Sequence, residues 1–129
     1  MMKTPNQLTK FMFVFMAVLA ISCSSDDDDK TKVKYRVVSE NGDLVSVDYT
    51  DEANETITEP IGNDNDWSKT INVTPPFSAG FDATFVNTDN VQHTYTLEIY
   101  KNGTLTQVVP GVVAPSSNTT GSIALEITE

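Results

Sequence analysis

The chain of 129 residues has a formal net charge of −10, with 18 acidic and 8 basic side chains. This acidic balance disfavours nucleic-acid binding, because no basic patch is available to neutralise phosphates. One cysteine and one histidine exclude an internal disulfide and leave no ligand set for a transition metal. Frequent Val, Thr and Asn, with scattered Gly and Pro, favour an all-β fold.

The chain begins with a pattern typical of a secretory signal peptide, which we assign to residues 1–22. Lys3 and Lys10 make the start basic, and the run from Phe11 to Ile21 carries no polar or charged side chain. Such a basic start and apolar centre is the signature of a signal peptide. The run is shorter than the roughly 20 apolar residues that span a bilayer. It also lacks the polar face that a buried helix of a globular domain would show.

The single cysteine, Cys23, follows Ala20-Ile21-Ser22 and resembles the lipobox cysteine of bacterial lipoproteins. The resemblance implies a diacylglyceryl group on the thiol, cleavage just before Cys23, and acylation of the new amine by chains such as palmitate. The family prefers Leu where this chain has Ala20, and Leu19 stands one position earlier. Each buried CH₂ contributes about 0.8 kcal/mol, so two or three chains would hold the protein on a membrane durably. The alternatives are a secreted protein with a free thiol, or a cysteine that is removed with the signal.

Two serines and four aspartates follow the cysteine: Ser24, Ser25, Asp26, Asp27, Asp28 and Asp29. Adjacent like charges repel and stay hydrated, so we expect residues 23–31 to form a flexible acidic tether. The same residues resemble the surface-export signal of Bacteroidetes-type lipoproteins. That resemblance implies an outer-membrane protein exposed at the cell surface, with the periplasmic leaflet as the alternative. The letters DDDDK also match an enterokinase cleavage tag, which would not normally follow a lipobox.

Residues 32–129 alternate apolar and polar side chains in short runs between turn residues, which predicts β-strands. The first two strands are Val33–Ser39 and Leu44–Thr50, and Asn41-Gly42 between them predicts a β-hairpin. In the second strand the alternation predicts three inward-facing side chains: Val45, Val47 and Tyr49.

A short edge strand is predicted at Glu55–Thr58, ending before Pro60 because proline cannot donate to a ladder. Gly62–Asp66 is predicted as a loop whose carboxylate and amide oxygens are of the type that calcium binds. Its spacing does not match an EF-hand loop, and turn formation explains Asn and Asp equally well. We therefore predict no metal and no cofactor, with calcium at this loop as the open alternative.

Five further strands are predicted: Trp67–Val73, Phe81–Asn87, His93–Tyr100, Thr104–Val109 and Gly121–Thr128. Asn102-Gly103 predicts a hairpin, and Pro110–Thr120 is predicted as a loop. We expect Trp67 to be a core anchor, and His93 to be a core or rim residue rather than a catalytic base. The pattern predicts an antiparallel, immunoglobulin-like two-sheet sandwich of about seven strands plus the edge strand.

Three stretches, YRVVSENGDLVSVDYTD, DWSKTINV and LEIYKNG, resemble MmpS-like small lipoprotein and membrane-anchored β-sandwich domains. The shared pattern covers Val33–Val109 and maps to these positions: Tyr35, Gly42, Tyr49-Thr50, Trp67–Thr70 and Asn102-Gly103. Mycobacterial members are accessory partners of lipid-exporting transporters and have a membrane-spanning start, where this chain has a lipobox. The resemblance implies, as an alternative function, a periplasm-facing accessory subunit of an envelope transporter.

The sequence contains no catalytic motif, since the lone histidine is not joined by a G-x-S-x-G. Paired carboxylates at Asp51-Glu52 and at Asp64 and Asp66 lie in predicted turns rather than in a cleft. We therefore expect a non-enzymatic interaction module that reaches the membrane through acyl chains on Cys23. Loops on a rigid scaffold commonly carry binding, so the expected partner is a protein or glycan of unknown identity. The oligomeric state is open.

Overall fold

A computed structural model describes residues 30–128, in which eight β-strands are formed. They are β1 (Thr31–Ser39), β2 (Leu44–Thr50), β3 (Thr56–Asp64), β4 (Asp66–Val73), β5 (Phe77–Asn87), β6 (His93–Lys101), β7 (Thr104–Val113) and β8 (Ser117–Ile127). The predicted signal peptide, Cys23 and the acidic residues up to Asp29 lie outside the described residues. Within residues 30–128, no helix is long and apolar enough to cross a membrane.

The eight strands form two antiparallel sheets of four. Sheet A has the order β4-β1-β6-β7, and sheet B has the order β3-β2-β5-β8. Apolar side chains at alternate positions of β1, β5 and β6 are buried between the sheets. The predicted two-sheet sandwich is thus confirmed. In constant-type immunoglobulin domains the first two strands share a sheet, whereas here β1 and β2 lie in opposite sheets, so the likeness is in the layers and not in the strand order.

The predicted hairpin of the first two strands is wrong. β1 pairs with β4 and β6, whereas β2 pairs with β3 and β5. Gly42 does adopt a positive φ of 67°, but the turn carries the chain across from one sheet to the other. Alternation identifies the face of a strand that is buried, and it does not distinguish a neighbour in the same sheet from a strand packed across the core.

At the start of β2, the buried side chains are shifted by one residue from the predicted alternation. The strand register shifts between Leu44 and Ser46, which is the signature of a β-bulge. As a result Leu44 is fully buried, and Val45, which was predicted to face inward, is only half-buried. Val47 and Tyr49 are buried as predicted.

Two prolines lie inside strands that were predicted to end before them. Pro60 lies within β3, opposite Ser46, and Pro110 lies within β7, opposite Thr96. Both β3 and β7 are edge strands, where a proline nitrogen that points away from the sheet removes no ladder hydrogen bond. The rule that proline ends a strand therefore fails at both positions.

The two predicted loops shrink accordingly. Gly62–Asp64 belongs to β3 and Asp66 begins β4, so the β3–β4 connection is Asn65 alone. The predicted loop Pro110–Thr120 is likewise wrong, because β7 continues to Val113 and β8 begins at Ser117. The predicted hairpin at Asn102-Gly103 is confirmed: it joins β6 and β7, with φ angles of 51° and 84°.

Four aromatic rings, contributed equally by the two sheets, meet at the centre of the core. The ring centroids of Tyr35 and Phe81 are 5.3 Å apart, and those of Tyr49 and Trp67 are 5.7 Å apart. The predicted core position of Trp67 is thus confirmed. The Tyr35 hydroxyl donates to the Thr50 carbonyl at 2.8 Å and accepts from the Gly80 amide at 3.3 Å. Burial raises the pKa of Tyr35 to about 12.

The ring of Tyr95 lies between the backbones of two glycines. A Cβ atom at Gly111 would overlap Tyr95 Cζ, and one at Gly121 would lie 2.7 Å from the Tyr95 hydroxyl. The same ring stacks on Phe85, with centroids 4.2 Å apart. The absence of side chains at these two positions is therefore what allows the Tyr95 ring to occupy this place.

We predict that Gly111→Ala lowers the free energy of unfolding by about 1–3 kcal/mol, the usual cost of an overpacked core. Denaturant unfolding followed by tryptophan fluorescence measures this change. Gly62→Ala is the matched control, because nothing lies within 4 Å of a Cβ at that position. Equal stabilities of the two variants would show that the Gly111–Tyr95 approach does not limit packing.

Candidate functional site

Four inter-strand connections lie at one end of the sandwich. Because neighbouring strands are antiparallel, the β1–β2, β3–β4, β5–β6 and β7–β8 connections share this end. We call it the loop end: residues 40–43, 65, 88–92 and 114–116. The start of β1 at Thr31 and the end of β8 at Ile127 lie at the opposite end.

The histidine side chain is clamped between two carboxylates at the loop end. His93 Nδ1 lies 2.6 Å from Asp43 Oδ2, and His93 Nε2 lies 3.0 Å from Asp89 Oδ2. His93 is 5% exposed, which confirms its predicted core or rim position. A carboxylate oxygen without a proton can only accept a hydrogen bond, so the imidazolium form, in which both ring nitrogens donate, fits this geometry.

The clamp favours the protonated state of the ring. The hydrogen bond to Asp43 raises the pKa of His93 above its ordinary value, burial opposes this shift, and the charge of Asp89 adds to it. Asp43 is itself buried, whereas the side chain of Asp89 is 58% exposed. One carboxylate of the clamp is therefore structural, and the other is presented at the surface.

A buried amide secures the neighbouring backbone. Asn87 Nδ2 lies within hydrogen-bond distance of three carbonyl oxygens, on Val91 at 2.8 Å and on Val113 and Ala114 at 3.2 Å each. Its Oδ1 accepts from the Asp89 amide at 2.8 Å. One side chain thus joins the end of β5, the β5–β6 loop and the end of β7.

Backbone hydrogen bonds join the same connections to one another. The Val86 amide donates to the Asp43 carbonyl, and the Ser116 amide donates to the Asp89 carbonyl, each at 2.9 Å. Thr94 also donates its hydroxyl hydrogen to the Glu40 carboxylate. The loop end is consequently a preformed surface rather than a set of independent loops.

The contacts of His93 bear on the chemistry that its ring can perform. Both nitrogens of His93 are engaged by carboxylates, so in this arrangement the ring has no free lone pair with which to accept a proton. Among residues 30–128, no group of three or more His, Cys, Asp or Glu side chains could hold a metal ion. In the segment Gly62–Asp66, where calcium was the open alternative, Asp66 lies 3.4 Å from the Arg36 guanidinium.

Three members of this cluster were not predicted from the sequence: Asp43, Asn87 and Asp89. Asp43 and Asp89 lie in runs of turn-forming residues, and Asn87 ends β5 just before such a run, so Asn and Asp are expected at or beside these turns for local backbone reasons. Their contacts join residues as far as 50 positions apart, and no local pattern encodes such a contact. The predicted loop Pro110–Thr120 contributes only residues 114–116 to the loop end.

No protein-family model matches this sequence, and a search of curated proteins finds no match. The resemblances to Bacteroidetes-type lipoproteins and to MmpS-like domains therefore stay predictions.

We predict that the stability of the protein falls as pH rises above about 6.5 because of His93, the single histidine. The folded-state pKa is raised, so the clamp contributes fully below the unfolded-state pKa of about 6.5. Its contribution is lost as pH rises through the folded-state pKa. Denaturant unfolding at a series of pH values measures the slope, and His93→Gln should lack it. Parallel pH profiles of the two proteins would contradict the clamp.

We also predict that Asn87→Ala lowers the free energy of unfolding by about 2–3 kcal/mol, because buried carbonyls lose their donor. Asn87→Asp keeps the side-chain shape but places an oxygen against those carbonyls, so its loss should be larger. Asn72→Ala, at an exposed position of β4, is the control and should change stability by less than about 0.5 kcal/mol. Equal effects at the two asparagines would rule out the role given to Asn87.

Proposed function

We propose that this chain is a lipid-anchored protein of the cell envelope whose β-sandwich is a non-catalytic interaction module, exposed at the cell surface. The observation that carries the proposal is the position of the preformed loop end relative to the start of the domain. The predicted tether joins the sandwich at Thr31, and β1 runs from there to Ser39 beside the loop end. Nine strand residues span about 30 Å, so the loop end is distant from the anchored end of the domain.

The surface of the loop end supports recognition of a polar partner. Its exposed side chains include carboxylates, amides and one large apolar side chain: Glu40, Asn41, Asp89, Asn90 and Val91. Val91 is 58% exposed. A rigid apolar side chain ringed by polar groups is the usual arrangement of a protein-binding patch. Carboxylates and amides also suit the hydroxyl groups of a glycan.

We predict that Cys23→Ala moves the protein from the membrane fraction to the soluble fraction, because the acyl chains would have no attachment atom. Fractionation of expressing cells, with incorporation of labelled fatty acid as a second readout, measures the change. Gly62→Ala, which leaves the lipobox intact, serves as the control and should stay in the membrane fraction. A Cys23→Ala protein that still pellets with membranes and still carries label would refute the anchor.

Added protease then distinguishes the surface-exposed module from the periplasm-facing accessory subunit. For the surface module, intact cells lose the sandwich to protease, and replacement of Asp26–Asp29 by asparagines protects it without releasing it from the membrane. Full protection of the wild-type domain would favour the accessory subunit. Co-purification of an envelope transporter after cross-linking would then support that alternative.

A further inference from the structure

The basic side chains of the sandwich are confined to one of its two sheets. Within residues 30–128 they lie on strands of sheet A or just before β1: Lys30, Lys32, Lys34, Arg36, Lys69 and Lys101. The strands of sheet B carry no lysine or arginine, and three acids point outward from them: Asp48, Asp82 and Glu126. The domain therefore has a cationic side and an anionic side although its total charge is negative.

Three of these lysines lie near the end of the sandwich where β1 begins: Lys32 and Lys34 alternate with buried residues of β1, and Lys101 ends β6. We call Lys32, Lys34 and Lys101 the lysine corner. Backbone pairing places Lys34 beside Tyr100 and Lys101 beside Val33. The Lys32 amide donates to Asn102 Oδ1 at 2.9 Å, and the Asn102 amide donates to the Lys32 carbonyl at 2.8 Å. The lysine corner is therefore held by β1 and by the β6–β7 hairpin together.

The lysine corner includes exposed apolar surface as well as charge. Lys34 Nζ lies 5.4 Å from the centroid of the Tyr100 ring, and Tyr100 is paired with Leu105 on β7. Leu105 is 44% exposed. Lysine stems, a tyrosine ring and an exposed leucine are the side chains that occupy the boundary between lipid headgroups and acyl chains.

The lysines of the corner differ in their ion pairing from Arg36, which lies further along β1. Arg36 lies 3.4 Å from both Asp66 and Glu98, so its charge is met within the domain. No carboxylate among the described residues lies within salt-bridge distance of a corner lysine. The charge of the lysine corner is therefore available to an external anion.

We infer that the lysine corner docks on an anionic lipid surface, with its amines against headgroup phosphates and with Tyr100 and Leu105 at the headgroup boundary. The inference rests on the proposed anchor at Cys23. From Ser24 to Thr31 the chain has eight residues, which reach at most about 29 Å, so the corner stays within reach of the membrane. Docking there orients the sandwich with its loop end away from the lipid.

The competing anion is the chain's own tract Asp26–Asp29, which directly precedes Lys30. To separate the two, we would reconstitute the full lipidated chain into vesicles of phosphatidylcholine, with or without phosphatidylglycerol. Acetylation by an amine-reactive reagent, read out by mass spectrometry for each lysine, reports accessibility. We expect Lys32, Lys34 and Lys101 to react several-fold more slowly in the anionic vesicles, and Lys69 to react equally in both. High salt should abolish the difference, because it screens the attraction.

Charge-reversal variants make the same test by a second route. Each lysine near an anionic surface changes the ratio of docked to undocked molecules about fivefold. Lys32→Glu with Lys34→Glu should therefore remove the protection of Lys101, whereas the control Lys69→Glu should retain it. The contrary result has two parts: the corner is equally protected in both vesicle types, and replacing Asp26–Asp29 by asparagines removes that protection. This result would assign the corner to the chain's own acidic tract and overturn the inference.

Failure of the anchor and failure of docking give different results. A chain that floats with neither vesicle type refutes the lipid anchor, and the docking inference falls with it. A chain that floats with both vesicle types, and whose corner lysines react equally in both, retains the anchor and overturns docking alone.

Discussion

The contact between the two sheets is the constraint on which the rest of the structure depends. The sheets share no strand, so packed side chains must hold them in register. Tyr35 contacts the other sheet by packing and by hydrogen bonding. Its ring packs on Phe81, and its hydroxyl bonds to the Thr50 carbonyl and the Gly80 amide. A buried hydroxyl with both a donor and an acceptor partner avoids the penalty of an unsatisfied group. It therefore sets one alignment of β1 over sheet B, where apolar packing alone would tolerate several.

The loop end is held by a different kind of interaction. Burial of a charged group carries a desolvation penalty that an ion pair often only offsets, so the Asp43–His93 pair is weak grounds for high stability. Its value lies in geometry: Asp43 belongs to the turn that crosses between the sheets, and His93 begins β6 in sheet A. With Asn87 joining β5 to β7, charge and amide contacts fix the crossings where the apolar core ends. These contacts consequently hold the β1–β2 and β5–β6 connections against the strands.

The sequence predicted the layers of this fold better than its connections. Alternation identifies buried faces in β1, β5 and β6, and Asn102-Gly103 marks a true hairpin, because both signals are local. Asn41-Gly42 is the same local signal, yet it joins opposite sheets, since the partner of a strand is decided by residues far away in the chain. The strand ends predicted at Pro60 and Pro110 were wrong for a related reason. Proline is excluded from a ladder only where its nitrogen faces a neighbouring strand, and whether a strand lies at the edge depends on the finished sheet. The clamp at His93 could not be predicted, because it assembles carboxylates from two separate turns.

Charge and topology act together on the function proposed for this domain. The strands carry the chain from the lysine corner to the loop end, so the two polar regions with opposite charge lie at opposite ends of β1. A flexible acidic tether alone would leave the domain free to present any side to the membrane. Attraction of the lysine corner to anionic lipid and repulsion of the acidic loop end from it would orient the domain without a rigid linker. The whole sandwich would take this orientation because its two sheets are packed together through the aromatic core. In this view the tether limits distance, the lysine corner selects the side that faces lipid, and the clamp around His93 keeps the outward surface ready for a partner.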